Sequence, residues 1–190
     1  RDSSMILSYG QDDRVCAFTS LFAMLDVENA KRTGCCLLVD KEEIGSVGAT
    51  GMHSRFFENT VAELVALTEG ESELKVRRAL ANSRMLSSDV SAAYDPMFAE
   101  AFEKRSAAFF TKGLAFNKFT GSRGKSGSND ANAEYLARLR KVMDDAGVTY
   151  QFAELGKVDV GGGGTIAYIM ANYGICLLYT SPSPRDRTRS

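Results

Sequence analysis

Histidine is nearly missing: His53 is the only one in 190 residues. A metal or catalytic site built on two or three histidines therefore cannot be complete within this chain. An excess of positive charge is missing too. Lysine and arginine together number 23 against 24 acidic residues, for a net charge of −1. That balance excludes the electrostatic footprint of a nucleic-acid or anionic-membrane binder. No apolar run approaches the roughly 18 to 20 residues of a membrane span. The opening Arg1-Asp2-Ser3-Ser4 is not a charged-then-apolar leader. The four cysteines, at 16, 35, 36 and 176, form neither a CxxC pair nor a regular disulfide framework. They read as small apolar residues of a reducing, cytoplasmic compartment.

What is present is the composition of an ordinary globular domain, 44% hydrophobic and 25% charged. Its length suffices for one sizeable core. Apolar residues at helical spacing predict helices over 15–27, 56–67, 71–82, 131–146 and 165–172. Short apolar runs predict strands over 35–39, 85–90, 113–116 and 148–155, and from Ile175 to Tyr179. Gly147 stands where a helix stop is expected, and Asp95-Pro96 marks a turn. The alternation predicts an α/β fold, three layers α/β/α, with a largely parallel central sheet. Residues 1–179 read as one domain. Residues 180–190 hold two of the three prolines and no apolar residue, and are expected to be a disordered or artefactual tail.

In open α/β sheets ligands collect at the carboxyl ends of strands. Glu42, Glu43 and Asp89 sit at predicted strand ends, and Asp159 closely follows another. Asp12 and Asp13 precede the first helix, either as its N-cap or as carboxylates of a site. Adjacent Glu42 and Glu43 read either as a solvated turn or as a pair dividing two tasks, one holding a metal and the other a proton. If Asp12, Glu43 and Asp89 converge, their oxygens could bridge two divalent cations about 3.5 to 4 Å apart. Glu42, diverging from its neighbour, would stand beside them as a general base. Gly124-Lys125-Ser126 does not form a phosphate loop, because Gly121 lies only three residues before Gly124.

With these residues assembled, the sequence resembles the aspartyl aminopeptidase family of dinuclear zinc metallopeptidases. The resemblance runs from about Tyr9 to Cys176. It is carried by Gly10-Gln11-Asp12-Asp13-Arg14, Val39-Asp40-Lys41-Glu42-Glu43-Ile44-Gly45, Ser87-Ser88-Asp89-Val90, Asn117-Lys118-Phe119-Thr120-Gly121 and Asp159-Val160-Gly161-Gly162-Gly163-Gly164. It implies that Asp12 bridges two metals, Glu43 binds one and Asp89 the other, while Glu42 is the general base. It implies two divalent ions, most naturally zinc, with cobalt or manganese as alternatives. The implied activity is removal of N-terminal residues, acidic ones in some members, from a peptide substrate. Lys118 falls in a segment tied to the substrate pocket, where a cation could read an acidic side chain. The implied whole protein is a homo-oligomer with neither nucleic-acid nor membrane partners.

The family's site also uses two histidines, and His53 matches neither. The chain accordingly reads as the central part of the catalytic domain, truncated at both ends. It is expected to be inactive or nearly so, and to expose apolar surface and an unpaired sheet edge. A non-catalytic binding protein retaining the fold is the competing reading.

Overall fold

A computed structural model of the chain describes residues 6–118, 128, 131–157, 159, 166–181 and 184–185, with side chains up to residue 176. The glycine- and serine-rich loop around 120–127 and the glycine run 161–164 lie outside the described residues.

Five α-helices and six strands are described: α1 Gln11–Leu25, α2 Phe56–Glu69, α3 Glu73–Ala81, β1 Arg84–Ser88, β2 Ser91–Ala92, β3 Leu114–Lys118, α4 Ala133–Asp145, β4 Tyr150–Glu154, α5 Ala167–Ala171, β5 Cys176–Ser181 and β6 Pro184–Arg185. The main sheet has the order β1-β5-β3-β4. β1 pairs parallel with β5, and β3 parallel with β4, whereas β3 and β5 are antiparallel. β2 and β6 form a separate parallel pair. The α/β class and the largely parallel sheet expected from the alternation are both present. β5 runs two residues past the expected domain end at 179, and Pro184–Arg185 pair with β2.

The caps follow local chemistry. Ser72 accepts from the Lys75 N–H at the start of α3, and Asn132 accepts from the Tyr135 N–H at the start of α4. Gly147 takes φ 64° just past α4, the left-handed geometry in which glycine carries no Cβ penalty. Asp12 and Asp13 do not cap α1. Gly10 occupies the cap position with φ 73°, and both aspartates sit inside the first turn with non-helical backbone angles. Their carboxylates are thereby turned to another use.

The core gathers Met52, Leu80, Ala167, Ile169, Met170 and Ile175, with Leu37, Val39, Phe57, Val61, Val76 and Met85 packed against it. Met170 is 2% exposed, so Met170→Ala removes several buried methylenes and leaves a void. We expect a loss of about 2–5 kcal/mol in a urea titration, with the slope unchanged.

Two sequence expectations need correction. The run 35–39 is no strand: none of the described strands pairs with it. Nor is the run buried throughout: Leu37 and Val39 reach the core, whereas Leu38 is 55% exposed. Side-chain period and hydrogen-bonded pairing are separate requirements, and only the first is local. The second concerns α1, whose apolar residues Phe18, Leu21, Phe22 and Leu25 were expected to form its core face. They are exposed, Phe18 at 63% and Leu25 at 68%, and Cys16 is the helix's one buried residue. Nothing among the described residues covers that stripe.

Candidate metal centre

Asp89 follows the last residue of β1, and Asp12 and Asp13 open α1. Carboxylate oxygens of these three residues lie within 4.8 Å of one another. The peptide between Asp12 and Asp13 is cis. Asp89 is part-buried and accepts the Val90 N–H at 2.7 Å, which fixes one of its oxygens.

Glu42 reaches the same neighbourhood from a tight loop. It opens the 3-10 turn Glu42–Ile44, entered through Lys41 with φ 68° and left through Gly45 with φ 85°. The loop is tied down at several points. The Ser46 N–H donates to the Lys41 carbonyl at 2.7 Å, and Asp40 holds both the Lys41 ammonium at 2.8 Å and the Thr50 hydroxyl at 3.2 Å. Gly51 lies against the Ser46 carbonyl, so close that a Cβ there would collide with backbone. This is why a glycine-rich sequence follows the two glutamates.

Electrostatics mark the centre as short of positive charge. Burial, followed by the charges of Glu42 and Asp13, pushes the Asp89 carboxyl up to about 8. Burial, with Glu43, Asp12 and Asp13 beside it, raises Glu42 as well. Burial, with the Asp13 carboxylate close by, pushes the Cys16 thiol far up. Crowded carboxylates of this kind are costly without a cation.

A test of this arrangement follows from linkage. The Asp89 carboxyl sits near 8 in the fold and near 3.9 in an unfolded chain. A raised folded value means that its stabilising contribution is complete below about pH 4 and is lost as pH rises through 8. In chelator, the thermal midpoint should therefore fall from pH 5 to pH 8, and the slope should flatten in Asp89→Asn.

The expected site residues separate into two groups. Asp12 and Asp89 come together, and Glu42 lies close enough to feel both. Asp13, read from sequence with Asp12 as a helix start or as a carboxylate of a site but given no ligand role, belongs with them. Glu43 is exposed and lies outside the three-carboxylate cluster. Lys118 is exposed at the carboxyl end of β3, which runs opposite to β1, so the two strands' carboxyl ends face opposite edges of the sheet. Asp159 is exposed with φ 61°. His53 sits apart, its Nε2 3.2 Å from the Tyr168 hydroxyl.

The donor set fits a divalent cation. Three carboxylates can supply oxygens to one ion, and their mutual repulsion is relieved by a cation or by taking up a proton. Among the described residues, no histidine or cysteine joins that group.

Helices packed on a mixed but largely parallel sheet, with clustered carboxylates just past one strand, define an α/β domain with an acidic centre. The family model of aminopeptidase I zinc metalloproteases (M18) matches residues 1–179, and the chain belongs to that family. A probable M18 family aminopeptidase 1 of Clostridium acetobutylicum is 62% identical over 174 residues, which are 92% of this chain and 37% of that protein. The crystal structure of aminopeptidase I from the same organism superposes with a TM-score of 0.81 at 59% identity, covering 92% of this chain and 37% of that one. The M18 aminopeptidase of Thermotoga maritima gives 0.82 at 39% identity, covering 93% and 39%. The chain thus spans well under half the length of these relatives. No described helix is long and apolar enough to cross a membrane.

Proposed function

We propose that this chain carries the acidic half of a dinuclear metal centre in an aminopeptidase, with zinc, the metal of its family, as the native ion. The observation that carries this reading is the convergence of Asp12, Asp13 and Asp89 within 4.8 Å from opposite parts of the sequence. Asp12 would serve both ions, Asp89 would hold one and Glu43 the other. Asp13 is an added donor or the support of one. When bound, divalent ions supply Lewis-acid polarisation of the scissile carbonyl and lower the pKa of water.

The chain's own chemistry centres on Glu42. It is half-buried beside the cluster without belonging to it, as a proton carrier must be. Its raised affinity for a proton suits it to take one from the attacking water and deliver it to the departing amine. Glu43, its neighbour on the same 3-10 turn, is exposed and would hold an ion with the cluster beside it. Lys118 is retained as the cation that reads an acidic N-terminal side chain. The whole protein is read as a homo-oligomer acting on peptides.

The chain as it stands is expected to bind metal weakly and to turn over little. Its one histidine is engaged with Tyr168, and carboxylates alone fix an ion loosely. The test is metal content and release of N-terminal residues from peptides with zinc, cobalt or manganese. It should be run on this chain and on a protein of its relatives' length carrying it. Metal-dependent turnover only in the longer protein supports the proposal. No metal bound by either removes it.

A further inference from the structure

The loop that carries Glu42 is anchored at its far end to α5, and two adjacent residues make the anchor. Met52 is 2% exposed and packs in the core with Ala167, Ile169 and Met170. His53 follows it. Its ring stays at the surface, where Nε2 lies 3.2 Å from the Tyr168 hydroxyl and the two rings meet edge-on with centroids 6.1 Å apart. The His53 backbone reaches the other way, its N–H donating to the Ser46 carbonyl at 3.1 Å. The Ser46 N–H in turn donates to the carbonyl of Lys41, the residue before Glu42. A path of bonds thus runs from α5 through His53 and Ser46 to the turn that carries Glu42.

The two anchors do different things. Burial of Met52 is non-directional, so it fixes how deep the loop sits and leaves its rotation open. A hydrogen bond is directional. Tyr168 offers a firm base for one, because its neighbours Ala167 and Ile169 on α5 are both buried. A hydroxyl donates and accepts, so it pairs with either tautomer of a neutral imidazole. We propose that His53 is a positioning residue: bonded to Tyr168, it locks the loop 42–54 against α5 and so fixes where the Glu42 carboxyl stands beside the acidic cluster. This rests on the reading of Glu42 as the base. His53 acts through the loop backbone and touches no reacting group.

The experiment measures amide hydrogen exchange in the full 190-residue chain. It follows Gly45 and Ser46, whose N–H groups close the turn around Glu42, with the amides of α2 as reference. Parent, His53→Ala, His53→Gln, Tyr168→Phe and the double variant of His53→Ala with Tyr168→Phe are compared. Both side chains lie at the surface, so neither substitution opens the core. Loss of one hydrogen bond should speed exchange at Gly45 and Ser46 by about 3- to 10-fold in His53→Ala and in Tyr168→Phe alike. The double variant should go no further. His53→Gln keeps a polar side chain that can reach the hydroxyl, and should recover most of the protection. Unchanged exchange in either single variant, or effects that add in the double one, overturn the proposal. In a protein of the relatives' length carrying this chain, His53→Ala should lower kcat by about 10- to 100-fold, with KM and bound metal unchanged and with rescue by His53→Gln. Faster loop exchange with kcat unchanged overturns the positioning role and leaves the reading of Glu42 intact. A parent protein of that length with no turnover removes the reading of Glu42 and this role with it.

Discussion

Glu42→Gln should lower aminopeptidase turnover by about 100- to 10,000-fold in a protein of the relatives' length, while bound metal stays at the parent level. The expectation comes from where Glu42 stands. Asp12, Asp13 and Asp89 share one cluster, and Glu42 lies at its side, half-buried and within electrostatic reach of Asp12 and Asp13. Glutamine preserves the shape of the side chain and its hydrogen-bonding amide but cannot take a proton at neutral pH. Loss of turnover with unchanged metal content therefore isolates proton transfer from metal binding. The Michaelis constant should change little, because the substituted group touches the water and not the peptide. Unchanged turnover would remove Glu42 as the base. Loss of metal together with activity would move it into the ligand set.

Asp89→Asn should act in two opposite directions. In chelator at pH 8 it should stabilise the fold by on the order of 1 kcal/mol or more, because a neutral amide replaces a buried carboxyl crowded by like charges. The bond from the Val90 N–H survives, since the amide oxygen accepts it equally well. With cobalt or zinc added, the same substitution should weaken binding by more than about 100-fold, beyond the usual cost of an outer hydrogen-bond partner. Thermal melts with and without metal read both effects on one sample. A substitution that stabilised the metal-free fold and left metal affinity untouched would show that Asp89 is only a strained carboxyl.

Much of the fold was legible because it depends on near neighbours along the chain. The apolar spacing over 131–146 predicts α4, observed over 133–145, and that over 71–82 predicts α3, observed over 73–81. Asp89 at the end of an apolar run was placed by the same reasoning. The 35–39 run shows where such reasoning stops. Its alternation is local, but a strand also needs a neighbour with free backbone groups, and none of the described strands supplies one. The stripe Phe18, Leu21, Phe22 and Leu25 makes the same point, since helical spacing says that residues share a face and does not say what covers it.

The sequence determined the α/β class, the kinds of acid available for a centre and the shortage of histidine, all of which follow from composition and short-range pattern. Only the tertiary structure decided which acids meet. Asp12, Asp13 and Asp89 share a cluster because α1 opens against the end of β1, while Glu43 points outward from the same turn that directs Glu42 inward. Lys118 leaves the sheet toward the other edge because β5 is antiparallel to β3. Strand direction and side-chain convergence are set by contacts between residues distant in sequence, and no local pattern encodes them.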